Sequence, residues 1–340
     1  MGLTLNFQFY DLPLSHPFTI SRYTVTVQRT VIVEISDGKH TGYGEATVNP
    51  YYQSTQEKLS ASLYKAKPLV ENIDEIDPAQ LWQLLSKVLE DDYFALCAID
   101  IAYWDYISKK QNRTVRSHWA NNETPTPLTS YTIGIDQLDV MRQKIIEKPW
   151  PIYKIKLGTP NDMEIIASLR EVTSAIFRID ANCAWSAEQT ISYSKILKDL
   201  NVEFIEQPLQ ANDFEGMKRV KEQSVLPIIA DESCQKEADV LTCAPLFHGV
   251  NIKLMKCGGI TPALRMISQA KELGLYIMAG CMTESTVGIS GLCQIAPLLT
   301  YLDADGALLL GEDIATGVSF DYGKIVYPDG FGTAVKLVDN

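Results

Sequence analysis

No stretch of about 18 uncharged apolar residues occurs in the chain, so no segment is expected to span a membrane as a helix. Basic runs of five or more are also missing. Lys and Arg number 30 against 42 Asp and Glu, a net charge of −12 over 340 residues. Such a charge repels phosphate backbones and anionic headgroups, which argues against nucleic-acid and membrane partners. The opening MGLTLNFQFYDLPL lacks the basic region and apolar core of a secretory signal. Asn6 stands where a myristoylation pattern needs Ser or Thr. There is no CxxC pair, and the cysteine count, seven, is odd. Cys97, Cys183, Cys243 and Cys293 sit among apolar or small neighbours and read as buried thiols. A disulfide framework is therefore not expected, and a reducing, cytoplasmic setting is.

What the chain does have is an ordinary globular balance, 46 % apolar and 21 % charged, and a recurring pattern. Five apolar strings each end on a chemically active residue: YKIKLG, FRIDAN, EFIEQP, PIIADES and GVNIKL. They carry Lys154 and Lys156, then Asp180, Glu206, Asp231 and Lys253. From Lys156 the steps are 24, 26, 25 and 22 residues. That interval suits one strand, one helix and two loops. The reading is a repeated βα unit whose strand ends converge on one face, the catalytic face of a (β/α) barrel.

The first segment differs. LNFQFYDL, TVTVQRTVIVEIS and HTGYGEA read as an antiparallel meander, with Asp37-Gly38 turning between the second and third. From Gln56 to about Lys110 the period becomes helical, with Leu81, Leu84, Leu85, Val88 and Leu89 at three- and four-residue steps. AIDIAYWDYI suits a buried helix. Pro125 and Pro127 then break the pattern. After them come LTSYTIG, the five strings above, YIMAGC and ALLLGED, eight strands with seven helical stretches between. The expected fold is α/β: a modified TIM barrel, (β/α)7β, over about 124–317. An α+β capping domain spans 1–123 and is completed by about 318–340, where YGKIV returns to β-like sequence.

Asp180, Glu206 and Asp231 end three consecutive strands, and strands lie about 4.8 Å apart, so their side chains can meet. Three carboxylates without His or thiolate favour Mg²⁺ over zinc. The structural alternative is three helix caps or loop charges, which the flanking lysines weigh against. Lys154 and Lys156, two apart on a strand, share a face. Burying both needs anions or chemistry to use them. Lys253 comes from a strand nearly across the barrel, and Lys256 after it is read as structural. Two bases facing each other across a divalent ion point to α-proton abstraction from a carboxylate substrate, with epimerisation, racemisation or elimination as the outcome. Crowding by Lys154 and the ion is expected to tune Lys156 for use as a base.

KxK, DxN, ExP, DES and NIKLxKxGG, in this order, resemble the muconate-lactonising subgroup of the enolase superfamily across nearly the whole chain. That resemblance implies one Mg²⁺ per subunit on Asp180, Glu206 and Asp231. It makes Lys156 and Lys253 the acid/base pair and sets Lys154 on the substrate carboxylate. It also implies a homo-oligomer. Asp303 and Asp305 in YLDADGALLL, placed just before the last strand, form a DxD similar to that of the dipeptide epimerases. There it receives the substrate's α-ammonium; the alternative is an acidic turn. GCMTES resembles the strand-seven motif and sets Met282 and Thr283, beside Cys281, against substrate, or else is a packed strand end. SHPFTISRY and TVNPYYQS resemble the two loops that cover the pocket. Arg22 there pairs with an anionic side chain or holds the loop, and Tyr51 and Tyr52 line an apolar wall. The activity implied is Mg²⁺-dependent epimerisation of the second residue of a dipeptide. Alternatives are an o-succinylbenzoate synthase or N-acylamino-acid racemase and, in another class, a non-catalytic metal-binding barrel.

Overall fold

The computed structural model describes residues 2–20, 23–90, 92–121 and 123–338. The N-terminal lobe opens with three antiparallel strands, β1 (Thr4–Thr19), β2 (Thr24–Ser36) and β3 (Thr41–Thr47), in that spatial order. The β2–β3 turn is held by Asp37, whose side chain accepts from the Lys39 and His40 amides. Three helices follow: α1 (Gln56–Glu71), α2 (Pro78–Leu89) and α3 (Tyr93–Lys110). On α2, Leu81, Leu85 and Leu89 form the buried stripe while Leu84 is exposed. Helix α3 is buried on nearly every side because β3 lies directly on it. That seating needs Gly42 and Gly44. A Cβ at either would come within 2.1 Å and 2.0 Å of the Ala102 and Ala98 carbonyl oxygens.

The second lobe alternates strand and helix. Strand β4 (Tyr131–Ile133) leads through α4 (Leu138–Glu147) to β5 (Ile152–Lys156), and α5 (Asp162–Arg170) leads to β6 (Ile176–Asp180). Then come α6 (Ala187–Asp199), β7 (Val202–Glu206), α7 (Phe214–Gln223), β8 (Ile228–Ala230), α8 (Glu237–Cys243) and β9 (Gly249–Ile252). A one-turn helix α9 (Leu254–Cys257) and the longer α10 (Ile260–Glu272) precede β10 (Tyr276–Gly280), and α11 (Thr286–Cys293) precedes β11 (Tyr301–Asp303). The eight strands pair in parallel, in chain order. A parallel bridge between Thr129 and Leu302 joins the two ends of the sheet. No α-helix follows β11 before the tail among the described residues, so the barrel is (β/α)7β, as expected from the sequence.

One strand is corrected. ALLLGED is not the eighth strand: Gly306–Leu309 forms a 3₁₀ turn, and the strand is Tyr301–Asp303. Asp303 thus ends the last strand rather than preceding it. Tyr301 pairs with Met278, and only this register carries Asp303 level with Gly280 at the catalytic rim.

The tail returns to β structure in β12 (Ala315–Thr316), which pairs with β15 (Lys336–Leu337), and in the hairpin β13 (Ser319–Asp321) with β14 (Lys324–Val326). It touches both lobes. Thr333 N donates to Asp105 of α3 at 2.7 Å, and Thr129 N donates to the Gly323 carbonyl at 2.9 Å.

Glu45 of β3 fastens cap to barrel. Wholly buried, it accepts from Thr30 Oγ1 at 2.8 Å, Ser285 N at 3.0 Å, Ser285 Oγ at 2.5 Å and Gly288 N at 2.9 Å. The last three lie at the N-terminus of α11, where the helix dipole favours an anion. Glu284 is buried beside it. Burial first, then the Glu45 charge, hold Glu284 well above its ordinary 4.5, so it carries the proton. The unfolded chain ionises Glu284 above 4.5 and the folded protein does not, so stability falls as pH rises through that window. Glu284→Gln, which keeps an acceptor for Met282 N, is expected to be more stable than wild type at pH 8. The gain should vanish near pH 4. Urea melts at both pH values test this; an equal difference at both would exclude the ionisation account.

Candidate active site

The chemistry-bearing residues gather at the C-terminal rim of the barrel. Alternation along β5 aims Lys154 and Lys156 inward, both buried. Register then lines up the acids: Lys156 stands level with Asp180, and Asp180 with Glu206. Asp231 follows β8 and Lys253 follows β9. One carboxylate oxygen from each of Asp180, Glu206 and Asp231 lies within 4.8 Å of the others, and all three residues are buried.

The lysines bracket this trio. Lys156 Nζ donates to Asp180 Oδ2 at 2.6 Å, and Lys253 Nζ to Asp231 Oδ2 at 2.8 Å. Lys154 Nζ donates to Asp303 Oδ2 at 2.8 Å and stands 3.3 Å from Asp180 Oδ2. It is also 2.8 Å from Glu206 Oε2, an ion-pair contact without hydrogen-bond geometry, which leaves that buried oxygen with no aligned donor. Burial alone would suppress the Lys154 and Lys253 charges, but the surrounding carboxylates outweigh it and hold both well above the ordinary lysine value. The same fields split the acids. Burial raises all three; Lys156 and Lys154 nevertheless bring Asp180 down to about 2, and Lys253 and Lys256 take Asp231 well down. Glu206, less well countered, is pushed up to about 7.

These residues fit a hard divalent cation. In an octahedral site with bonds of about 2.1 Å, neighbouring oxygens lie about 3 Å apart and opposite ones about 4.2 Å. The three carboxylate oxygens lie within 4.8 Å of one another, the donor set is all oxygen, and Glu206 Oε2 lacks an aligned donor.

Three further residues hold the trio in place. Asn251 Nδ2 donates to Glu206 Oε1 at 2.7 Å, and Gly280 leaves it room, since a Cβ there would sit 2.8 Å from the amide. Buried Gln207 ties two loops: its Oε1 accepts from the Asp231 and Ser233 amides, and its Nε2 donates to Leu209 O and Ser233 Oγ. Lys256, read from sequence as structural, donates to Asp231 Oδ1 at 2.7 Å, to Asp231 O at 2.5 Å and to Cys234 O at 2.8 Å. The backbone is strained here too. Asn182, Cys183 and Gln207 have φ of 43°, 66° and 33°, conformations that side chains resist and that concentrate at functional sites.

Asp303 accepts from Ser130 Oγ at 2.7 Å besides Lys154, and Asp305 Oδ2 accepts from Thr132 N at 2.5 Å. Burial and then the Asp303 charge push Asp305 up to about 7, while Lys154 and Ser130 more than offset burial at Asp303 and lower it. Both acids line the same cavity of about 100 Å³ as Lys154, Lys156, Lys253 and Asp231. Met282, Thr283, Tyr51 and Tyr52 line it as well. Arg22 lies outside the described residues. None of the seven cysteines is in a disulfide, and only Cys281 is not fully buried. No helix among the described residues is long and apolar enough to cross a membrane.

A capped (β/α)7β barrel with acids and lysines at its mouth defines a protein class. Residues 138–339 match the "Enolase C-terminal domain-like" family, and residues 6–117 match "Mandelate racemase / muconate lactonizing enzyme, N-terminal domain". The chain belongs to the enolase superfamily, in its mandelate racemase/muconate lactonizing enzyme branch. It is 50 % identical over 329 residues to the L-Ala-D/L-amino acid epimerase of Flavobacterium johnsoniae, covering 97 % of this chain and 98 % of the relative. It is 38 % identical to the L-Ala-D/L-Glu epimerase of Bacteroides thetaiotaomicron, covering 99 % and 88 %. Among solved structures it resembles the dipeptide epimerase of Enterococcus faecalis V583 complexed with Mg and L-Leu-L-Tyr. That match has a TM-score of 0.90 at 29 % identity and covers 98 % and 99 % of the two chains.

Proposed function

We propose that this protein is a Mg²⁺-dependent dipeptide epimerase that inverts the α-carbon of the second residue by two-base 1,1-proton transfer through an enediolate. The observation that carries this is the pairing of two buried lysines from opposite barrel walls, on β5 and after β9, with a DxD at the end of β11. Whole-length relatives bearing epimerase names support it. Asp180, Glu206 and Asp231 would hold one ion per subunit. When bound, it supplies positive charge beside the substrate carboxylate as negative charge builds there. Lys156 and Lys253 exchange the α-proton from opposite faces. Lys154 orients the carboxylate, and Asp303 and Asp305 receive the α-ammonium. Met282 and Thr283 contact substrate from the loop after β10. Lobe limits of 1–123 with 318–340, and 124–317, fit this reading, with the tail tied to α3 through Thr333 and Asp105.

The test is deuterium incorporation at the second α-carbon in D₂O with Mg²⁺, followed by NMR. Dipeptides with a free amine should exchange and epimerise. Their N-acetylated counterparts and N-succinyl amino acids should not. Asp303→Asn is expected to lower kcat/KM for free-amine dipeptides by about a hundredfold, the effect of losing a buried charged partner. Exchange confined to acylated substrates would replace this reading with an N-acylamino-acid racemase.

A further inference from the structure

The two lysines that face each other across the barrel are held in different ways. Lys156 is the last residue of β5 and pairs in register with Asp180 of β6. Lys253 lies one residue beyond β9 and opens the one-turn helix α9, where its carbonyl accepts from the Lys256 and Cys257 amides at 3.0 Å and 3.2 Å. A helix of one turn does not hold itself, because fixing the first turn costs more than its bonds return. The place of Lys253 therefore depends on what grips α9 from outside.

The cap does so at three points. Thr47 of β3 donates through N and Oγ1 to Met255 Sδ, each at 3.4 Å. Trp82 Nε1 of α2 donates to Gly258 O at 2.8 Å. The third point is Asp100 of α3, which is buried. Its Oδ2 accepts from Thr261 N at 2.9 Å and its Oδ1 from Thr261 Oγ1 at 2.6 Å. Thr261 lies in the first turn of α10, whose N-cap is Gly259. The first amides of a helix need acceptors, and glycine has no side chain to offer one. Asp100 supplies it from the other lobe. Gly259 makes the room: its φ is 117°, and a Cβ there would come within 2.4 Å of Asp100 Oδ2. The path from this cap to Lys253 is short. The Gly258 and Gly259 amides both donate to Leu254 O, at 2.9 Å and 2.8 Å, so the start of α10 is bonded back to the residue after the base.

Resting on the epimerase reading, we infer that Asp100 is a positioning residue for Lys253: it reaches from the cap to fix the α9–α10 joint, and so sets one base and not the other. The experiment follows loss of the α-proton in D₂O from each epimer separately, with L-Ala-L-Leu, L-Ala-L-Glu and their counterparts carrying a D second residue. It uses the full chain at saturating Mg²⁺, so that any effect through Lys256 and Asp231 falls on both faces alike. The epimer that Lys253→Ala fails to exchange marks the Lys253 face. Asp100→Ala is expected to slow exchange of that same epimer by about tenfold to a hundredfold, the effect of a small misplacement. The other epimer should stay within about twofold of wild type. Asp100→Asn, which keeps an acceptor for Thr261 N, should restore most of the loss. If Asp100→Ala does not fold, Thr261→Val removes one of the two bonds and carries the same test, with a face-selective loss of about threefold. Equal slowing of both epimers, or no slowing of either in a folded variant, overturns the inference and leaves the epimerase reading intact. Absence of wild-type exchange with any free-amine dipeptide removes both.

Discussion

Lys156→Ala and Lys253→Ala should each cut epimerisation by about a thousandfold, yet leave complementary half-reactions. A positioned acid or base contributes about 10²–10⁴-fold, and a thousandfold is about 4 kcal/mol of barrel-imposed proton-transfer advantage. Inversion needs both lysines, because a proton must leave one face and arrive at the other. Exchange with solvent needs only one. Lys156 sits on β5 bonded to Asp180; Lys253 follows β9 bonded to Asp231, four strands away around the barrel. Each single variant therefore retains a base on one face. In D₂O it should wash deuterium into one epimer of the second residue without forming the other. The opposite variant should label the opposite epimer. Epimer-resolved NMR reads this directly. If either variant labels both epimers equally, the bases do not divide the faces and the two-base scheme fails. A circular-dichroism melt accompanies the comparison, since both lysines are ion-paired in the folded protein.

The sequence revealed the site more fully than the scaffold supporting it. The near-25-residue period placed Lys156, Asp180, Glu206, Asp231 and Lys253 at successive strand ends because a βα unit has a nearly constant length. The eighth strand went astray for a physical reason: ALLL is a longer apolar run than YLD, and three strand residues carry little pattern. The period itself held the missing signal. From Gly280, which ends β10, to Asp303 is 23 residues, another βα step. Asn251 was legible in principle, since it stands two residues before Lys253 on one strand and shares its face. Lys256 was not. It reads only as structural, with nothing in the pattern to name its partner. Only the burial of the one-turn α9 turns its ammonium back onto Asp231. The strained φ values after Asp180 and Glu206 also lie beyond sequence patterns, because Asn182, Cys183 and Gln207 are not the glycines that usually mark them.

Lys256 gives the second large effect. It is 4 % exposed, and its Nζ donates to one carboxylate oxygen and two carbonyls at 2.8 Å or less. Lys256→Met fills similar volume but removes the ammonium from Asp231 Oδ1 and Cys234 O, while Asp231 O keeps the Cys234 amide at 3.1 Å. Asp231 keeps Lys253 on its other oxygen, so it is half-countered rather than bare. Removing one partner of a buried ion pair costs about 3–5 kcal/mol, which for a chain of this size lowers Tm on the order of 10 °C in EDTA. Mg²⁺ affinity should fall by about 10–100-fold, as it does when a group that orients a metal ligand is lost. Mg²⁺ should therefore widen the gap, because the ion stabilises the folded form less where it binds more weakly. Lys256→Arg, which keeps the charge but not the compact ammonium, should fall between the two. Melts with and without Mg²⁺, together with calorimetric titration of the ion, separate the effects. An equal Tm loss in EDTA and Mg²⁺ with unchanged Kd would mean that Lys256 only packs the joint. A rise in Kd that Lys256→Arg partly reverses means that the ammonium sets the position of Asp231.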